Sequence, residues 1–193
     1  MTTFLNRKSD FPIESLFLYR ISYRAFSEER LSEEERMSLF EAARWAPSSY
    51  NKQPWRFVYV CREDKEWNTL FDTLVDFNKQ WCNRADMLVV VISKKSHKNK
   101  PSRTASFDTG SAWMSLALEA AARNIIAHAM EGFNYTAIKE RLCIPDDYNV
   151  EAMIAVGKPG KKEDLPKELQ EMELPTLRNP IEETVSRGSF SFQ

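Results

Sequence analysis

Hydrophobic positions fall into clear periods only after residue 30. Ser32 followed three residues later by Glu35 has the reciprocal spacing of a capping box. Behind it Met37, Phe40 and Ala43 recur at helical spacing until Pro47 breaks the pattern, which predicts a helix. Before it, residues 11–19 read as a short helix or turn. Residues 55–61 read as a strand, and residues 65–78 place Trp67, Leu70, Leu74 and Phe77 on the stripe of a second helix. Residues 87–92 are uniformly apolar and valine-rich, as in a strand covered on both faces. A basic polar loop is expected over 94–103. Residues 104–123, rich in Ala, Leu and Met, predict a long helix apolar around much of its circumference, which belongs in a core or a large interface. Short strands follow at 125–130 and 150–156, with a helix at 135–142 between them that Pro145 stops.

Interleaved helices and strands point to an α+β or α/β domain with a sheet of about four or five strands. One domain over 1–193 is expected, with an N-terminal arm at 1–19 and a C-terminal extended arm at 161–193. The second arm has little apolar periodicity beyond a short helix near 181–186. A tail with no core of its own is costly to order, so it is expected to pack on something large, such as a partner subunit.

Composition narrows the function classes. The chain has 193 residues, 42% of them hydrophobic, enough for one real core. Its net charge is -1, without the cationic excess of a nucleic-acid or membrane-surface binder, so neither partner is expected. The apolar run at 87–92 is far shorter than the roughly 20 residues that span a bilayer, and residues 1–10 lack the apolar core of a signal peptide. Cys61, Cys82 and Cys143 fit no disulfide framework or zinc spacing, so a cytoplasmic location is expected. With five glycines and no Gly-rich loop, any phosphate must be held by side chains.

Several groups could carry chemistry. Arg20, Ser22 and Arg24 share one face of an extended segment, and two guanidinium groups flanking a hydroxyl suit a phosphate or an electron-rich ring edge. A solvated basic strand is the plainer reading. The turn from Pro47 to Gln53 offers Ser, Ser, Asn and Gln without a strong acid or base, which suits holding a polar planar ligand, or simply caps a helix. Glu131-Gly132 follows a strand and is either an ordinary turn or a place where backbone approaches a ligand. Arg178 matters only if the tail folds back. Lys94, Lys95, His97, Lys98, Lys100 and Arg103 form the best candidate for an anionic partner, such as the phosphates of a nicotinamide cofactor, against the alternative of a solvated loop. His97 and His128 are isolated, so no metal and no Ser-His-Asp constellation is assigned.

Together the segments Arg20-Ile21-Ser22-Tyr23-Arg24-Ala25-Phe26 and 43–57 resemble the FMN-dependent nitroreductase family in its compact form. Glu131-Gly132-Phe133 before a helix, Leu142-x-Ile144-Pro145 and, more weakly, Arg178-x-Pro180 extend the likeness along nearly the whole chain. The resemblance implies a three-layer α/β/α sandwich with a central mixed sheet, a long central helix, and a C-terminal arm exchanged in a homodimer. Two tightly bound FMN molecules would sit at the subunit interface. It implies that Arg20 and Ser22 hold the FMN phosphate, with Arg178 as the C-terminal phosphate ligand, and that Arg24 lies near flavin N1 and O2. Pro47, Ser48, Ser49 and Asn51 would come from the other subunit and line the flavin. Asn78 would contact the flavin or its ribityl chain, and Ala129, Glu131 and Gly132 would supply backbone groups near N5. No side chain is then catalytic. Flavin N5 is the reactive atom, tuned by Arg24, Glu131 and Gly132.

The implied activity is an FMN-dependent NAD(P)H oxidoreductase. NADH or NADPH would reduce N5, and nitroaromatic, quinone or similar acceptors would be reduced in a ping-pong cycle. Trp81 and Thr176 stand where the family often has a basic residue. Two alternatives accompany that reading: a specialised flavin reductase such as a reductive dehalogenase, as in sister branches of the family, and, because of those two positions, an FMN-binding protein with little turnover.

Overall fold

The computed structural model describes residues 7–192; the first six residues of the expected N-terminal arm and the last residue of the C-terminal one lie outside the described residues. The strands are β1 (Trp55–Cys61), β2 (Met87–Lys94), the two-residue pair β3 (Ser96–His97) and β4 (Lys100–Pro101), β5 (Ile126–Met130) and β6 (Tyr148–Gly157). The helices are α1 (Leu16–Tyr19), α2 (Glu33–Arg44), α3 (Trp67–Phe71), α4 (Asp76–Cys82), α5 (Ala105–Ala122), α6 (Tyr135–Arg141) and α7 (Lys167–Met172).

The main sheet has the order β1-β2-β6-β5, and every neighbouring pair is antiparallel. The expected mixed sheet is therefore corrected for this chain. Strands that run the same way, β1 with β6 and β2 with β5, are each separated by one intervening strand. The long helix α5 carries the chain from β2 across to β5, and β6 then folds back into the gap that this crossover leaves.

Period-two alternation splits β2 between two cores. Met87, Val89 and Val91 pack with Leu39 and Ala43 of α2 and Ala112, Leu116 and Ala120 of α5. Leu88, Val90 and Ile92 pack on the other face with Leu70 of α3, Trp81 of α4, Ile138 of α6 and Leu169 of α7. The result is the expected α+β architecture in three layers, with the sheet in the middle. The capping box forms as its spacing requires: Ser32 Oγ accepts from Glu35 N at 3.1 Å, and Glu35 Oε2 accepts from Ser32 N at 2.9 Å. Among the described residues no helix is long and apolar enough to cross a membrane.

Three local expectations are corrected. The single helix over 65–78 is broken into α3 and α4, because Leu74 bridges Phe133, Thr73 O accepts from Asn134 N at 2.8 Å, and Val75 N donates to Gly132 O at 3.0 Å. Tertiary backbone pairing outweighs the continuous apolar stripe. The basic loop at 94–103 is a hairpin whose turn residues Lys98 and Asn99 both have positive φ, 50° and 60°, as a tight hairpin turn demands. The tail is not uniformly extended, since α7 docks on the core through the fully buried Leu169. Only a single 3-10 turn, Ile181–Glu183, occupies the region where a helix was expected.

Candidate functional site

Arg20 leaves α1 in an extended conformation (φ -65°, ψ 112°) and donates from Nη1 to Ser22 Oγ at 3.2 Å. Arg7 crosses this segment, donating from Nη1 to the carbonyls of Leu18 at 2.8 Å and Arg20 at 3.2 Å. Burial first, then the fields of Arg178 and Arg7, pull the Arg20 pKa below the ordinary arginine value; burial and Arg178 do the same to Arg7. Arg178 in the tail is therefore near enough for its charge to act on both. Among the described residues no carboxylate is ion-paired to any of these three guanidinium groups. Three mutually repelling, uncompensated cations beside a hydroxyl fit a phosphate dianion, the group by which FMN would be held here.

Arg24 continues the segment inward. Its guanidinium lies 5.9 Å from the centroid of the Trp81 ring, and its Nε is buried without a hydrogen-bond partner. The backbone N–H groups of Arg24 and Ala25 both donate to Glu173 Oε1, at 2.7 and 2.8 Å, so the end of α7 clamps the strand. The ring of His128 on β5 packs against Trp81 with centroids 4.6 Å apart and planes tilted by 36°, and its Nδ1 lies 3.0 Å from Tyr23 O, which assigns the proton to Nδ1. Burial, followed by the charges of Arg24 and Arg20, lowers the His128 pKa from 6.5 to about 4, so the ring is neutral at physiological pH.

The shift has a thermodynamic consequence. An unfolded chain takes up this proton near pH 6.5 and the folded one only near 4, so below pH 6.5 the unfolded state binds more protons. The stability gained from a neutral His128 is complete above pH 6.5 and declines as pH falls towards 4, by about 3 kcal/mol at most. Urea unfolding at pH 7 and pH 4.5 should show a smaller acid loss for His128→Gln than for the unmodified chain. Equal losses would contradict the assignment.

Next to Trp81 stands a hydrogen-bonded brace. Trp81 Nε1 donates to Asn78 Oδ1 at 3.2 Å, and Asn78 Nδ2 donates to Gly132 O at 3.0 Å. A Cβ at Gly132 would lie 2.5 Å from Asn78 Nδ2 and 3.0 Å from Val75 Cγ2, so close approach rather than backbone angle requires glycine here. Gly132→Ala should cost about 1–3 kcal/mol by overpacking, read from its denaturation midpoint. Asn78→Ala in the same chain should recover part of that loss, and no recovery would exclude the clash. Ala129 lies on the edge strand β5 paired with Ile154, and Glu131 is exposed just beyond it.

The Pro47–Gln53 turn lies elsewhere. It leaves the C-terminus of α2 and enters β1, with Tyr50, Asn51 and Gln53 in the left-handed region at φ 51°, 53° and 47°. Non-glycine residues rarely adopt that conformation, and three so close together mark a strained, well-determined turn. Ser48 Oγ accepts from Gln53 N at 3.0 Å, Ser49 N donates to Asp108 Oδ2 at 3.2 Å, and Asn51 Oδ1 accepts from Gln53 Nε2 at 2.9 Å. The turn opens onto β1, whereas the Arg24 group flanks β5, and β2 and β6 lie between them. Three strand spacings make about 14 Å. One chain therefore gathers Arg20, Ser22, Arg24, Asn78, Ala129, Glu131, Gly132 and Arg178. It does not bring Pro47, Ser48, Ser49 and Asn51 to them.

The structure adds four residues to the group: Arg7, Trp81, His128 and Glu173. Arg7 and Glu173 sit in charged segments with no periodicity to single them out. In the sequence Trp81 stands out only as a missing cation, yet it is 2% exposed and belongs to the core, where an unpaired cation would be costly.

Comparison with known proteins places this geometry in context. The sequence model of the nitroreductase family matches residues 18–80 and 65–158. An oxygen-insensitive NADPH nitroreductase of Helicobacter acinonychis (strain Sheeba) is 44% identical over 64 residues, 33% of this chain and 30% of that protein. The chain thus aligns with less than a third of that relative's length. A crystal structure of an oxidoreductase containing FMN matches with a TM-score of 0.94 at 40% identity, over 100% of both chains. The crystal structure of a nitroreductase family protein from Clostridium difficile 630 shares the fold, with a TM-score of 0.72 at 20% identity over 93% of this chain and 100% of that one. With a family match along well over half its length, this chain belongs to the nitroreductase family.

Proposed function

We propose that the chain is an FMN-dependent NAD(P)H oxidoreductase that reduces nitroaromatic, quinone or similar acceptors in a ping-pong cycle. The observation that carries this reading is the group of uncompensated guanidinium cations, Arg7, Arg20 and Arg178, beside Arg24 with its buried, unpartnered Nε. When bound, FMN supplies a hydride-accepting atom, N5, and a ring edge that gains negative charge on reduction. Arg20, Ser22, Arg178 and Arg7 would hold the phosphate. Arg24 presents a preorganised positive charge that stabilises a developing anion in a low-dielectric setting. Trp81 and neutral His128 wall the site without offering a strong acid, and the Asn78–Gly132 brace fixes the turn that follows β5. Arg7 adds a further cation beside Arg20; an FMN-binding protein with little turnover stays the alternative that Trp81 and Thr176 motivate.

Pro47, Ser48, Ser49 and Asn51 complete the site only from a second copy, and a homodimer is part of the same reading, as is a cytoplasmic setting. Trp45 and Tyr50 beside that turn are 75% and 95% exposed, and Phe107, next to the Asp108 that anchors Ser49, is 81% exposed. Leu177 and Phe190 in the tail are 69% and 86% exposed. Large exposed aromatics beside this turn suit an interface, and the tail residues suit an arm exchanged between subunits. Initial velocities measured over a grid of NADPH and nitroaromatic or quinone concentrations test the cycle. Parallel double-reciprocal lines are expected, and intersecting lines would contradict it.

A further inference from the structure

A polar cleft of about 120 Å³ opens immediately beyond the Pro47–Gln53 turn, lined among others by Lys52, Arg56, Lys94, His97, Lys98 and Ser102. Its walls are well fixed. Lys94 N donates to Pro54 O at 2.9 Å, pinning the end of β2 to the start of β1, and Ser102 N donates to Lys95 O at 2.7 Å, closing the β3–β4 hairpin. Ser96 Oγ donates to Asp147 Oδ2 at 2.5 Å, tying the hairpin to the segment before β6. Arg56 Nη1 is turned back onto the carbonyls of Gln53, at 3.1 Å, and Trp55, at 2.6 Å, which sets the orientation of its guanidinium.

The charge in this cleft is uncompensated. Lys52, Arg56, Lys94 and Lys98 have no carboxylate within 4.0 Å among the described residues. Lys52 and Lys94 rest over the rings of Tyr50 and Tyr148, at 5.6 and 5.8 Å, contacts that hold an ammonium group without neutralising it. Independently of the cations, Ser102 Oγ is buried without a hydrogen-bond partner. Four cations without a carboxylate partner and an orphaned hydroxyl around one cavity suit a phosphate monoester or diphosphate.

We propose that this cleft binds a phosphate group of the adenosine half of the nicotinamide dinucleotide donor. The inference rests on the proposed function. Lys52 and Gln53 directly follow Asn51, so a donor whose nicotinamide lies over a ring lined by Asn51 has its phosphates beside the cleft. The β3–β4 hairpin is then a recognition element for the donor, and it contributes nothing to FMN binding.

The test uses the FMN-loaded protein and the double variant Lys94→Gln/Lys98→Gln. Titration calorimetry with adenosine 2′,5′-bisphosphate should give a Kd about tenfold weaker in the variant, as expected on losing charge-assisted contacts. The KM for the nicotinamide donor should rise by a similar factor, with kcat and FMN content unchanged. A rise for NADPH alone places the 2′-phosphate in the cleft, and an equal rise for NADH and NADPH places the diphosphate there; both support the proposal. Unchanged Kd and KM would overturn it. So would a variant that loses binding of inorganic phosphate but keeps the donor KM, since the cleft would then be a general anion site. If neither nicotinamide reduces the unmodified protein, the proposed function fails by itself. Calorimetry still decides the cleft: bisphosphate binding that the variant loses supports a phosphate site for adenosine nucleotides, and no binding overturns it.

Discussion

Arg20→Ala is expected to weaken FMN binding by about 1.5–3 kcal/mol, roughly a ten- to hundredfold rise in Kd. Arg20 is held by Ser22 and crowded by Arg7 and Arg178, so its charge is committed in place before any ligand arrives. In the free protein that arrangement is repulsive, and burial adds to its cost. Removing Arg20 should therefore leave the FMN-free protein as stable as before or slightly more so, while the FMN-loaded protein loses stability. That opposite response separates a ligand-binding role from a structural one. Arg20→Lys keeps the charge but not the planar fork, and should fall between the two. Equilibrium dialysis of FMN, paired with melting curves with and without FMN, reads both effects. An unchanged Kd would remove Arg20 from the phosphate site.

Asp86→Ala is expected to cost about 3–5 kcal/mol of folding stability, the usual result of stripping one partner from a buried ion pair. The Asp86 side chain is 0% exposed and takes two hydrogen bonds from Arg36, at 2.9 and 3.1 Å, with Arg30 at 3.8 Å. The bond to Asp86 is the main cause that raises the Arg36 pKa. Through this pair the first turn of α2 is bound to the residue that leads into β2, and Asp86 N also donates to Val156 O at 2.8 Å at the end of β6. Without the carboxylate, Arg36 is left buried with only the half-exposed Glu63 to meet it. Urea unfolding measures the loss. A cost below about 1 kcal/mol would mean that water replaces the carboxylate and that apolar packing alone holds α2 to the sheet.

The parts of this fold written in local chemistry were legible in the sequence. The capping box at Ser32, the valine run of β2 and the apolar length of α5 each encode one element within a short window. Strand order was not legible, because it depends on β6 folding back between β2 and β5, a relation among distant segments. The stripe through Trp67, Leu70 and Leu74 runs on past Thr73 and Val75, and nothing in it reveals that these residues surrender their helical bonds to Gly132 and Asn134. That break matters to the site, since it places Asn78 against Gly132. Likewise α7 is too short to show a period, yet Leu169 and Glu173 fasten it to the core and to the Arg24 strand. Arg20, Ser22 and Arg24 stood out through alternation. Arg7 did not, because a cation in a polar arm looks the same whether it is solvated or folded back onto a site.

The most direct test is an absorption spectrum of the freshly purified protein, taken before and after anaerobic addition of NADPH or NADH. Flavin bands that bleach on addition are the expected result, and they would turn attention to the acceptor. A colourless protein that takes up no added FMN would contradict the assignment of Arg20, Arg24 and Arg178 to a flavin site.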